Sequence, residues 1–231
     1  MRVSDLHQGH CLVSELRGFA SLEQHDGVIL SNLREIPDGA LLVCLGDISV
    51  RRDDEALRRL RKLKREKSLR MILVPGNYDR VHPMCGMDSV VDWTPKYREV
   101  FDVISLDLQA RIGRWLVLLT HIPRAVGEFA VVDPHQTDKL VRWAAREGFE
   151  CTVQGHTHSD AAIRRKNVNV SLEATGLCPV SPEALEEMVT KAVQGVVFIG
   201  VEVCSDSSRR ISSAIRSPTP HLHHVFTFRW K

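Results

Sequence analysis

The stretch Pro37-Asp38-Gly39-Ala40-Leu41-Leu42-Val43-Cys44-Leu45-Gly46-Asp47 decides how the chain reads. Pro-Asp-Gly signals a turn, and the apolar run Leu41–Leu45 has the length of one buried strand. Gly46-Asp47 then leaves that strand on a carboxylate. An amphipathic helix is expected over Asp53–Lys67, with Ala56, Leu57, Leu60 and Leu63 on one stripe. A second apolar run, Arg70–Val74, follows and is stopped by Pro75-Gly76. Strand, crossover helix and strand in that order predict an α/β architecture.

The rest of the chain extends the pattern. Val103–Leu108 and Arg114–Thr120 read as a strand pair joined through Gly113, and Cys151–Gln154 and Val168–Ser171 as two more strands. A helix is expected over Thr137–Glu147, closed by Gly148. Another is expected to open at Ser181-Pro182, a cap residue followed by proline at the first helical position. Gly195–Val201 reads as a closing strand. Only about four residues precede Asp5, a short first strand by the usual measure. Residues 1–203 read as one domain, and 204–231 as a poorly ordered tail rich in Ser, Arg, Pro and His.

Composition excludes more than it assigns. The 231 residues carry 31 Lys plus Arg against 29 Asp plus Glu, a formal charge of +2 that gives no reason to expect a nucleic-acid or membrane-surface binder. Residues 51–70 hold ten Lys or Arg, which read as the solvated face of the crossover helix rather than a nucleic-acid interface. Six widely spaced cysteines without a CxxC pair read as reduced thiols. No signal peptide is visible and the longest apolar run, Gly195–Val201, is too short to span a bilayer, so a soluble cytoplasmic protein is expected.

Eleven histidines are the unusual count. Five short stretches place a metal-type ligand directly after an expected strand: Asp5-Leu6-His7, Gly46-Asp47, Gly76-Asn77-Tyr78-Asp79, Thr120-His121 and Gly155-His156-Thr157-His158. Loops at the carboxyl ends of strands are where α/β sheets build sites. Asp5 and His7, like His156 and His158, are two apart and point to one side of an extended backbone. Asp5, His7, Asp47, Asn77, His121, His156 and His158 are too many ligands for one tetrahedral ion. Two ions about 4 Å apart, bridged by a carboxylate, would use them all. The N/O donor set without thiolate suits Mn²⁺ first, with Fe or Zn²⁺ as alternatives. His10 and His82 are candidate pocket residues. His25 and His135 read as surface residues, and His221, His223 and His224 belong to the tail.

The order D-x-H, G-D, G-N-x-D, H, G-H-x-H, carried here by those residues over roughly 3–200, resembles the calcineurin-like metallophosphoesterases. The stretch from Asn169 to Ser181 is similar to the closing strand and helix of small bacterial and phage-type members. The resemblance implies a four-layer α/β/β/α sandwich of two mixed β-sheets flanked by helices. It implies one ion on Asp5, His7 and His158, a second on Asn77, His121 and His156, and Asp47 bridging them. The implied activity is hydrolysis of a phosphodiester or phosphomonoester by metal-activated water, on a small substrate rather than a membrane or, as a less favoured case, nucleic acid. A weakened metal-binding relative and a metal-dependent nuclease stay open as alternatives. Asn77, Tyr78 and Asp79 form the implied catalytic loop, but the family usually has His where this chain has Tyr78. A phenol is a poorer proton donor than an imidazolium at neutral pH. Tyr78 hydrogen-bonding the phosphate, His82 or Arg80 replacing the acid, and loss of activity all remain open readings.

Overall fold

The computed structural model describes residues 1–123, 142–143 and 145–195. In chain order the elements are β1 (Arg2–Val3), α1 (Cys11–Leu16), α2 (Leu22–Arg34), β2 (Leu41–Cys44), α3 (Asp53–Lys67), β3 (Arg70–Leu73), α4 (Met87–Arg98), β4 (Val103–Ile104), β5 (Leu108–Ile112), β6 (Trp115–Leu119), β7 (Cys151–Gln154), β8 (Ile163–Arg164), β9 (Asn167–Asn169) and α5 (Pro182–Val193). They form a four-stranded sheet, order β1-β2-β3-β4, and a five-stranded sheet, order β5-β6-β7-β9-β8.

Helical crossovers explain the direction of the first sheet. Strands joined through α2, α3 and α4 return at the same end, so its described strands are all parallel. Only the second sheet is therefore mixed, where both were expected to be. In it β5-β6 and β8-β9 are antiparallel hairpins, while β6, β7 and β9 run parallel. Alternate residues of β2 and β3 face opposite ways. Leu42, Cys44, Met71 and Leu73 pack with Ile29 and Leu33 of α2, Leu57 and Leu60 of α3, and Tyr97 of α4. Val43, Leu45 and Val74 face the other way, in one cluster with Val117, Leu119 and Val153 of the second sheet and Leu185, Met188 and Val189 of α5. The two sheets thus share a core and helices flank them.

The expected helix over Asp53–Lys67 forms, and its apolar stripe Ala56, Leu57, Leu60 and Leu63 is buried. Its basic face is matched by carboxylates: Arg59 by Asp26 and Glu55, Arg61 by Glu99, Lys64 by Asp102 and Lys67 by Asp38. The Ser181 hydroxyl caps α5, accepting from Ala184 N–H at 3.1 Å. The strand pair through Gly113 is displaced. Ser105 Oγ donates to the Asp107 carbonyl at 2.7 Å and breaks the run. Val103–Ile104 therefore joins the first sheet beside β3, and the hairpin partner of β6 starts at Leu108.

Strand β1 spans two residues because Asp5 leaves extended backbone, at φ 59. Hydrogen bonding beside the first sheet continues all the same, from Asp5 N–H to Gly46 O, His7 N–H to Asp47 O and Gln8 N–H to Ile48 O, each at 3.0 Å. Ser4 N–H also reaches Val170 O at 3.0 Å, which joins the sheets at the end where β1 stops. The described part of the expected helix over 137–147, residues 142–143 and 145–147, carries no helix, and the rest falls outside the described residues. The expected closing strand beyond Gly195 and the tail also fall outside them. Cys11, Cys44, Cys85 and Cys151 are free thiols, as expected, but Cys178 is disulfide-bonded. No helix among the described residues is long and apolar enough to cross a membrane.

Candidate metal centre

All seven candidate ligands sit at the carboxyl ends of strands, in two groups that share Asp47. Asp5 follows β1, Asp47 follows β2, Asn77 follows β3, His121 follows β6, and His156 and His158 follow β7. In the first group His7 Nε2 lies 3.6 Å from Asp5 Oδ1 and 3.1 Å from His158 Nε2, which is itself 3.5 Å from Asp5 Oδ1. In the second, Asn77 Oδ1 lies 3.2 Å from His121 Nε2 and 2.9 Å from His156 Nδ1. Asp47 Oδ2 stands between, 3.8 Å from His7 Nε2 and 3.3 Å from His121 Nε2. One ligand atom each from Asp5, His7 and His158 lies within 4.8 Å of the others, and likewise for Asp5, Asp47 and His121.

The backbone is bent to bring them there. Asp5, His7, Asp47, His156 and His158 all have positive φ, between 45 and 70. This left-handed region costs a non-glycine residue of order 1–3 kcal/mol and persists only where the surroundings enforce it. Gly46, at φ 91, permits a close approach: a Cβ there would strike the Gly76 backbone and lie 2.8 Å from His121 Nδ1. A Cβ on Gly155 would strike Ser4 and the Asp5 carboxylate.

These groups could hold divalent metal. Asp5 is fully buried and its Oδ1 has no hydrogen-bond donor, an expensive state for a carboxylate unless a cation lies opposite. His121 Nδ1 faces the Leu45 carbonyl at 2.6 Å and His158 Nδ1 faces Glu173 Oε1 at 2.8 Å. Both acceptors hold the proton on Nδ1 and leave the lone pair on Nε2, which points into the site. The charge balance agrees. Burial alone would lower His121, yet Asp47 and Asp5 carry it up to about 10. Burial is likewise outweighed at His158, which Glu173 and Asp5 raise to about 9. Asp5 and Asp47 are held below the usual carboxylate range, against burial, by the surrounding imidazoles. His7 and His156 fall the other way because burial dominates, His156 to about 4. The buried carboxylates draw positive charge onto the imidazoles around them, and divalent ions would supply the same charge.

The implied catalytic loop divides. Tyr78 is half-buried with its ring edge-on to His7, centroids 5.9 Å apart, and its N–H donates to Asp47 Oδ1 at 3.0 Å. Burial and Asp47 raise its phenol, so it stays neutral. Asp79 lies beneath, fully buried. Its oxygens accept from the N–H groups of Asp47 (2.9 Å), Gly76 (2.7 Å) and Ile48 (3.0 Å). Burial and Asp47 raise Asp79 to about 7, against those donors. Arg80 stacks over Trp93 at 4.5 Å and sits 3.6 Å from Asp53. His82 accepts from Met84 N–H at 3.1 Å and borders, with His121 and Trp143, a cavity of about 200 Å³. His10 stacks 5.6 Å from His7.

Two residues of this region had no sequence motif. Glu173 pairs with Arg17 at 2.8 Å as well as with His158. Arg17 in turn holds the carbonyls of Asp5 (2.6 Å) and Leu6 (3.3 Å). The single cue was one acid in the apolar run Leu172-Glu173-Ala174. His25, expected at the surface, is buried instead, between Arg17 at 3.0 Å and Asp26 at 2.9 Å. Its helix turns that face toward the Asp5–Gly9 loop, where Asp26 also accepts from Gly9 N–H.

The calcineurin-like phosphoesterase superfamily domain matches residues 1–202. The chain belongs to this superfamily. Among solved structures, a protein of unknown function, AQ665, from Aquifex aeolicus is similar at 23% identity and a TM-score of 0.58, over 80% of this chain and 96% of that one. That likeness supports the calcineurin-like fold. A novel archaeal phosphodiesterase is 15% identical over 74% of this chain and 80% of its own, at a TM-score of 0.34 too low to bear on either fold or function. No curated protein matches the chain. Membership makes it a phosphoesterase by family, with Asp and His clusters able to hold divalent metal.

Proposed function

We propose that this chain is a dinuclear metal-dependent phosphoesterase, with residues 1–203 as its catalytic domain. Asp5, His7 and His158 would hold one divalent ion, Asn77, His121 and His156 the other, and Asp47 would bridge them. The observation that carries this reading is the position of Asp47 Oδ2 between His7 Nε2 and His121 Nε2, at 3.8 and 3.3 Å. When bound, such a pair supplies positive charge opposite the phosphoryl oxygens and an acidified water for in-line attack at phosphorus. Mn²⁺ is the first candidate, and Fe or Zn²⁺ are compatible with the same oxygen and imidazole donors.

The chain's own residues set orientation and proton supply. The Leu45 carbonyl and Glu173 fix the rings of His121 and His158. Asp79 holds the Asp47 and Gly76 backbones, which makes it a positioning residue. Tyr78, a neutral phenol beside His7, donates a hydrogen bond to a phosphate oxygen but gives up its proton less readily than imidazolium. Arg80 is committed to Trp93 and Asp53, and burial pushes His82 down to about 4, so neither replaces the missing imidazolium. Substrates whose leaving group needs no proton, such as aryl phosphodiesters, are therefore favoured. A small ester is favoured over nucleic acid, since Arg59, Arg61, Lys64 and Lys67 of α3 already face carboxylates. Hydrolysis of bis-p-nitrophenyl phosphate with added Mn²⁺ tests the proposal, against an Asp47→Ala control. A wild-type rate equal to that control would instead support a metal-binding relative without catalysis.

A further inference from the structure

The two halves of the centre are supported differently. In the Asn77, His121 and His156 half, His121 Nδ1 rests on a neutral backbone carbonyl. In the other half Glu173, itself largely buried, presents Oε1 to His158 Nδ1 at 2.8 Å, Arg17 Nε at 3.0 Å and Arg17 Nη2 at 2.8 Å. Arg17 extends the same contact to the Asp5 carbonyl at 2.6 Å and the Leu6 carbonyl at 3.3 Å. One carboxylate thus orients the imidazole of His158 and, through one guanidinium, anchors the two carbonyls that directly follow the Asp5 side chain. Asp5 and His158 both have left-handed backbones that need such enforcement. A planar guanidinium is suited to this, because its fork reaches a carboxylate and a carbonyl together.

We infer that Glu173 is a positioning residue for the Asp5, His7 and His158 half alone, acting through His158 and Arg17, so that the two ions bind with separable affinities. The inference rests on the dinuclear reading above. Outer carboxylates of this kind contribute roughly 10- to 100-fold to metal affinity. The test is a Mn²⁺ titration of the metal-stripped full-length chain, with free Mn²⁺ followed by electron paramagnetic resonance.

In Glu173→Gln, which keeps the shape and removes the charge, one of two binding events should weaken about 10- to 100-fold while the other stays at the wild-type value. Both events unchanged would overturn the inference. Both weakened equally would also overturn it, since a merely structural loss is not selective. Should Glu173→Gln fail to fold by circular dichroism, Arg17→Lys carries the test, because it keeps the charge and loses the fork; the same selective weakening is required. Wild-type protein that binds no Mn²⁺ would instead remove the dinuclear reading itself. Two wild-type events with no selective effect would remove only the role of Glu173.

Discussion

The backbone N–H of Asp47 donates to Asp79 Oδ2 at 2.9 Å, so the carboxylate that faces both halves of the centre rests on a second, buried carboxylate. Asp79 also takes the N–H groups of Gly76 and Ile48, closing the β2 and β3 loops onto each other. Asp79→Ala leaves three buried donors without an acceptor. The expected loss is at least about 2–3 kcal/mol of stability, because an unpaired buried donor costs roughly 1–3 kcal/mol. Urea denaturation measures it, and a loss under about 1 kcal/mol would show that Asp79 does not carry this load.

Gly46 admits no side chain. Its φ of 91 and the Gly76 backbone opposite make Gly46→Ala a clash that only loop movement relieves. That movement displaces Asp47 and His121 together, so Mn²⁺ binding should weaken along with stability. Gly27, in α2, has open space around a Cβ, and Gly27→Ala, which helix propensity favours by about 0.5–1 kcal/mol, is the comparison. Equal urea midpoints for the two variants would contradict the account.

Asp26 gives the fold an acid-sensitive clasp. Burial raises its carboxyl, but His25, Arg59 and Gly9 outweigh that and hold it below the ordinary value. A carboxyl lowered in the folded state stabilises above its unfolded pKa and loses that contribution as pH falls through the folded one. Asp26→Asn should therefore lie below wild type by a constant amount from pH 7 to pH 5, and the gap should close below about pH 4. Urea midpoints at those pH values check this. A gap that widens toward acid would reverse the assigned sign.

Tyr78 should set the leaving-group preference. Tyr78→His introduces an imidazole with a reference pKa near 6.5 in place of a phenol near 10. Turnover on an alkyl phosphomonoester should rise by about 10-fold or more, within the usual range for general acid catalysis. Bis-p-nitrophenyl phosphate, whose leaving group needs little help, should change far less. Equal or lower turnover on the alkyl ester would refute the assignment.

What could be read in the sequence follows from where the information is stored. Leu41–Leu45, Asp53–Lys67 and Cys151–Gln154 announce themselves by local apolar pattern, and the strand-end ligands by short motifs. Helices α2 and α4 are harder to see because Gly27 and Pro95 interrupt them, and α1 is only six residues long. β4 and β5 lie within one apolar stretch, and only the Ser105–Asp107 contact separates them. Glu173, Arg17 and His25 meet across separations of 8 and 156 residues, which no spacing rule connects. The left-handed backbones of the ligands are equally hidden, since positive φ is uncommon for any residue but glycine, although aspartate and histidine enter it more readily than most.

Those left-handed ligands restrict what can occupy their positions. At Asp5 and Asp47 the backbone conformation admits glycine, asparagine and aspartate most readily, and only the last two offer an oxygen. At His7, His156 and His158 a β-branched residue would have to refold the loop before any question of chemistry arose. The tolerance of these five positions to substitution is thus decided twice, by the ion a side chain can bind and by the shape its main chain can take.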